Sequence, residues 1–111
     1  MSKYLVLELR SLHCVSYLYG YLFNRFGLNV ANLVKPIFEK DKESRRLIIK
    51  LVFEVPEIVT EVEIVSKCVK SFELTCVKPE VDDNHVVKVE DVDLLRKILE
   101  TLVDVGKVIY T

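Results

Sequence analysis

The 111-residue chain contains no tryptophan, no glutamine and one methionine, and its only alanine is Ala31. Glycine is scarce too. Gly20, Gly27 and Gly106 stand alone, so there is no glycine-rich turn to cradle a phosphate or a dinucleotide. Three cysteines, Cys14, Cys68 and Cys76, form no paired metal-ligand spacing and leave an odd one over. This predicts reduced thiols in a cytoplasmic protein, with no metal or other cofactor. Cys68 and Cys76 read as small buried hydrophobes. No apolar run approaches the roughly 18 residues of a membrane span. The opening stretch MSKYLVLELR carries Glu8 and Arg10 too early for a secretory signal. Charge of one sign is also missing. Lys plus Arg is 16 against 17 Asp plus Glu, a net charge of −1, which argues against nucleic acid or an anionic membrane as partner. The absence of glutamine beside abundant Glu and Lys is a thermophile-like bias.

What is present is apolar and β-branched. Half of the residues are hydrophobic and 19 are valine. Such a chain excludes a disordered tail and leans toward sheet. The length suits one domain, and a domain of this size builds its core without disulfide help.

Residues 4–10 alternate, with Leu5, Leu7 and Leu9 on one side, and predict a half-buried strand. Val15, Leu18, Tyr19, Leu22 and Phe26 fall at helical spacing, with Ser11 as N-cap and Gly27 as C-cap. Residues 28–38 predict a second strand, and EKDKES (39–44) a polar turn. A third strand runs from Leu47 to Val55, completing a hairpin. Residues 57–70 are ambiguous. Ile58, Val62, Val65, Val69 and Phe72 keep helical spacing while the β-branched content favours strand. A helix is preferred because it completes a βαββαβ order, with residues 72–78 as the fourth strand. After a loop at 78–84, the tail predicts a short strand (85–90), an amphipathic helix capped by Asp91 and followed by Gly106, and a last strand at 107–110.

This order predicts an α+β, ferredoxin-like sandwich over residues 1–80. A strand–helix–strand extension (81–111) would pack on the same domain or on a partner subunit. Ile48 and Val52 make the sheet face opposite Leu47–Val55 apolar as well. An apolar sheet face calls for a cover, so a homodimer or higher oligomer is expected.

Catalytic chemistry is thin. His13 and Cys14 are neighbours, but adjacent side chains at a strand–helix junction point apart and no orienting acid is near. Tyr17, Tyr19 and Tyr21 suit an interface or surface better than a base-stacking platform. Arg45 and Arg46 read as a solvated hairpin end, and Glu57, Glu61 and Glu63 as the wet side of a helix. The chain is therefore not expected to be an enzyme.

The stretch LFNRFGLNVANLV (22–34) resembles the helix-to-strand junction of ACT domains, most closely that of the small regulatory subunit of acetolactate synthase (acetohydroxyacid synthase). That family carries Leu-Phe-x-Arg-Arg-Gly-Tyr-Asn-Ile-x-Ser-Leu there. Leu22, Phe23, Arg25, Gly27, Asn29, Val30 and Leu33 match or come close, and Ser44–Arg45 stands where the family has Ser-Arg. The likeness spans about residues 3–78.

The resemblance implies a non-catalytic subunit that stimulates a large thiamine-diphosphate enzyme of branched-chain amino-acid biosynthesis. It also implies a small amino-acid ligand at a dimer interface, bound by the loop after the first strand and by the asparagine that starts the second strand. Here those positions are Ser11, His13, Cys14 and Val15, with Asn29 and Val30. Helix-start N–H groups can receive a carboxylate, and an amide side chain can both donate and accept. The family's Pro-Gly pair is replaced by His13–Cys14, which narrows the backbone approach. The segment 99–111 resembles the family's closing helix-to-strand unit about as well as 65–77 does, leaving open which of the two is the second unit.

Overall fold

The computed structural model describes residues 2–110, without the side chains of Val105 and Lys107. Strand β1 (Lys3–Leu9) leads into helix α1 (Leu12–Phe26), then, through a 3₁₀ turn at 27–29, into a short helix α2 (Val30–Leu33). Strands β2 (Ile37–Lys40), β3 (Leu47–Val55), β4 (Val59–Val65) and β5 (Val69–Thr75) follow. After a 3₁₀ turn come β6 (Val86–Lys88), helix α3 (Val92–Leu102) and β7 (Val105–Tyr110). The protein is α+β, with two sheets.

The main sheet has the order β2-β3-β1-β5, with every neighbouring pair in that row antiparallel. The register pairs Leu5 with Phe53, Leu7 with Leu51 and Leu9 with Ile49. Paired residues share a sheet face. These six side chains are buried and belong to one hydrophobic core with Leu18 and Leu22 of α1 and Leu95, Ile98, Leu99 and Leu102 of α3. Burying each such side chain contributes about 1.5–3 kcal/mol, and α1 and α3 pack side by side. Gly27 ends α1 as the sequence indicates, at φ 61° with its N–H donating to the Phe23 carbonyl. Asp91 caps α3, accepting from the Leu94 N–H at 2.8 Å.

Residues 57–70 are not a helix. They form β4, which pairs antiparallel with β7 in a separate two-stranded sheet. A bulge between Val59 and Glu61 inserts Thr60, so the inward residues Val59 and Val62 lie three apart and imitate a helix. From Val62 the alternation is regular, with Val62 and Ile64 inside and Glu63 and Val65 outside. Residues 28–34 are not strand either. Val30, Leu33 and Val34 are buried at helical spacing, and β2 begins only after Pro36.

The two candidate closing units divide the work. Strand β5 pairs with β1 in the main sheet, whereas α3 supplies the helix beside α1. The 81–111 extension thus packs on the same chain. Gly106 lies within β7 instead of capping α3. A Cβ there would sit 2.6 Å from Val103 Cγ2 and 3.3 Å from Leu99 Cβ, so only glycine lets the strand run this close to the helix end.

The opposite face of the main sheet carries Tyr4, Val6 and Glu8 on β1 and Ile48, Lys50, Val52 and Glu54 on β3. The chain must cross β1 and β3 to pass from β5 to β6, which pairs parallel with Val52–Glu54 on the far edge of β3. Residues 76–85 make that crossing, and Lys78 lies close enough to Tyr4 and Glu54 for their charge to raise its pKa, behind the larger effect of its partner Asp83. Tyr4 and Val52 are buried, yet they stand outside the main core. Val52 is therefore covered within the single chain and does not itself call for a partner, whereas Ile48 stays half-buried.

Candidate functional site

Helix α1 separates the residues singled out by the family likeness. Ser11 and His13 are exposed at its start and Val15 is half-buried against the core. Asn29 is exposed just past its end, and Val30 is 3% exposed inside the core. Fifteen helical residues at about 1.5 Å each place roughly 22 Å between the two groups. A single chain does not bring them together. Ser11 has the extended backbone of an N-cap but makes no side-chain cap bond.

Cys14 is not a free thiol. It is joined to Cys68, with 5.5 Å between the Cα atoms, across 54 residues of sequence. The bridge ties the start of α1 to the β4–β5 turn, and the Arg10 N–H donates to the Cys68 carbonyl at 2.9 Å beside it. The expectation of reduced thiols fails here, and with it the cysteine argument for a cytoplasmic setting. Cys76 is free but exposed, not buried. The sequence cannot pair cysteines so far apart, because their closeness depends on β5 lying beside β1.

Two concave surfaces lie beside the start of α1 and the strand ends around it. One lies between α1, the β4–β5 turn and the end of α3, with a volume of about 340 Å³, and includes Tyr17, Tyr21, Cys68 and Asp104. Tyr17 and Tyr21 meet edge to face at 4.6 Å between ring centroids. The Tyr21 hydroxyl donates to Tyr17 at 2.5 Å, and that bond is the main cause of the raised Tyr21 pKa. Asp104 accepts from the Lys67 N–H at 3.1 Å.

The other is a more open groove of about 670 Å³ at the end of the helix-free sheet face. Glu8 and Arg10 come from the end of β1, Leu47 and Ile48 from the start of β3, Lys70 from β5, and Asp41, Ser44 and Arg46 from the β2–β3 turn. That turn is tightly built. The Asp41 carboxylate accepts from Ser44 Oγ at 2.7 Å and from the Glu43 N–H at 3.1 Å, bonds that hold its pKa below the ordinary value. Arg45 takes the left-handed φ of 58°, a conformation that non-glycine residues rarely adopt.

Sequence reading noticed Arg46 only as part of an exposed hairpin end and passed over Arg10 and Lys70. Arg10 continues the outward parity of Glu8, and Arg46 that of Ile48. Only the β1–β3 register shows that both look onto one face. Among the described residues no group of His, Cys, Asp or Glu is placed to hold a metal ion, and no polar or charged residue is buried. No helix among them is long and apolar enough to cross a membrane.

No protein-family model, curated protein or solved structure matches the chain at a significant level.

Proposed function

We propose that the chain is a non-catalytic regulatory module of ferredoxin-like organisation, similar to the ACT-type small subunit of acetolactate synthase, and that it works as a homo-oligomer in the cytoplasm. The strand order β2-β3-β1-β5, with α1 connecting β1 to β2 across β3, is the observation that carries this reading. It is the order a βαββαβ sandwich requires, with α3 standing in for the second helix.

Self-association is supported by exposed apolar side chains. Leu12, Tyr19 and Phe23 recur along one stripe of α1, and Phe72 is 41% exposed on β5. Among the described residues no strand pairs with the outer edge of β5, and an open edge invites another chain. Two copies arranged about such an interface are also the only way to join the Ser11–Val15 end of one helix to the Asn29 end of another. Thermophile-like composition accommodates an intracellular disulfide.

The test is co-expression with a large acetolactate synthase subunit. The expected result is co-purification and a rise in the enzyme's activity when the chain is added, and no complex with no activation contradicts it. Calorimetric titration with valine, leucine and isoleucine reads the ligand part separately, and heat from none of them removes it.

A second reading has one observation in its favour. Where the family has Pro-Gly, this chain has a disulfide-bonded Cys14. A stand-alone oligomeric binding module with no amino-acid ligand and no enzyme partner fits that replacement. It predicts an oligomer that activates nothing.

A further inference from the structure

The groove at the end of the helix-free face holds two carboxylates and three cations, and they are used in different ways. Both of its carboxylates are engaged. Glu8 faces the Lys70 ammonium at 3.3 Å, and Asp41 is held by Ser44 and Glu43 inside the turn. Arg10 and Arg46 have no such partner, since among the described residues no carboxylate lies within 4.0 Å of either.

Their backbones are nonetheless fixed. The Arg10 N–H is bonded to the carbonyl of disulfide-locked Cys68, and the Arg46 carbonyl accepts from the Asp41 N–H at 2.9 Å. The Arg46 N–H donates to Ser44 Oγ at 3.3 Å. Two guanidinium groups on anchored stems, left without anions, are suited to forked recognition of an acid group. Between them the groove is not wholly polar. Ile48 lies half-buried in it. The volume falls within the range of about 300–1,000 Å³ common for small-ligand sites.

We propose that this groove binds a small amphipathic carboxylate, its acid group between Arg10 and Arg46 and its hydrocarbon part against Ile48. The assignment stands independently of the regulatory reading, because it uses one chain and none of the Ser11–Val15 or Asn29 positions. The Arg45 backbone fits this role, since its left-handed turn sends Arg46, and not Arg45, to the groove wall.

The test is titration of the full chain with hexanoate at low ionic strength, followed by calorimetry and by amide chemical shifts. Saturable binding is expected, with the shifts gathered around Arg10, Arg46 and Ile48. Arg10→Ala and Arg46→Ala should each raise Kd at least tenfold, while Lys97→Ala on α3 leaves it unchanged. Inorganic phosphate should bind at least tenfold more weakly than hexanoate, and hexylamine not at all. Three results would overturn the proposal: no saturable hexanoate binding, shifts gathered elsewhere, or phosphate binding as tightly as hexanoate. If the arginine variants do not fold, the shift map and the phosphate comparison on the unaltered chain decide alone.

Discussion

The two faces of the main sheet are built from the same strands and end in different states. The inner face presents Leu5, Leu7, Leu9, Ile49, Leu51 and Phe53 to a layer of helices, and all six are buried. The outer face is closed at one end by the irregular segment 76–85 over Tyr4 and Val52. At the other end it stays open as the groove of Arg10, Arg46 and Lys70. A face covered by regular elements becomes core. A face covered by one crossing loop becomes half core and half surface, and the uncovered half holds Arg10 and Arg46 without an ion-pair partner beside the Glu8–Lys70 pair.

Removing bulk from the inner face should show the largest effect. Phe53→Ala leaves a cavity beneath the helices and should destabilise by about 3–5 kcal/mol in denaturant unfolding. A loss below about 1 kcal/mol would mean that the helix layer does not seal this face. Next comes the bridge that ties the helix layer to the β4–β5 turn. Reducing Cys14–Cys68, or replacing both with serine, should cost about 2–4 kcal/mol, read as a drop in melting temperature. An unchanged melt would show that the turn is held without it.

The outer face supplies a sharper contrast. Val52→Ala, under the crossing loop, should cost about 1–3 kcal/mol, while Ile48→Ala, at the open end, should cost less than about 1 kcal/mol. Equal losses would erase the distinction between the covered and uncovered halves.

The smallest effect is electrostatic. Asp41 has a lowered pKa in the folded chain because Ser44 and Glu43 donate to its carboxylate. Its contribution is thus fully present above the unfolded value, about 3.9, and is lost as pH falls through the lowered folded value. Asp41→Asn should flatten that part of the acid limb. A carboxyl titration by NMR that places Asp41 at or above the ordinary value would contradict the turn geometry.

The sequence was most legible where one period ran without interruption. Strand β3 keeps Leu47, Ile49, Leu51, Phe53 and Val55 on one face and has the ends this spacing indicates. Helix α3 is amphipathic throughout, and its cap Asp91 is the residue its spacing indicates. Legibility failed where a local irregularity changed the period. The helical reading of 57–70 rested on the spacing of Ile58, Val62, Val65, Val69 and Phe72 and on completing a βαββαβ order, but Ile58, Val65 and Phe72 are exposed, and six of the eight residues from Ile58 to Val65 are β-branched. Residues 28–34 failed the other way, since Val30, Leu33 and Val34 carry a helical turn inside a stretch read as β.

The likeness to ACT domains picked out the start of α1 and the position after its end, and the helix's own length keeps these apart in one chain. The groove residues were invisible for a different reason. Arg10 follows β1, Arg46 precedes β3 and Lys70 lies on β5, and nothing short of the strand register brings them together.

Homo-oligomerisation is the part of the functional account on which the rest depends, because a single copy leaves the two halves of the ACT-like site at opposite ends of α1. Light scattering of the purified chain at micromolar concentration tests it most directly. The account predicts a uniform species of at least twice the chain's mass, and a monodisperse monomer would contradict it.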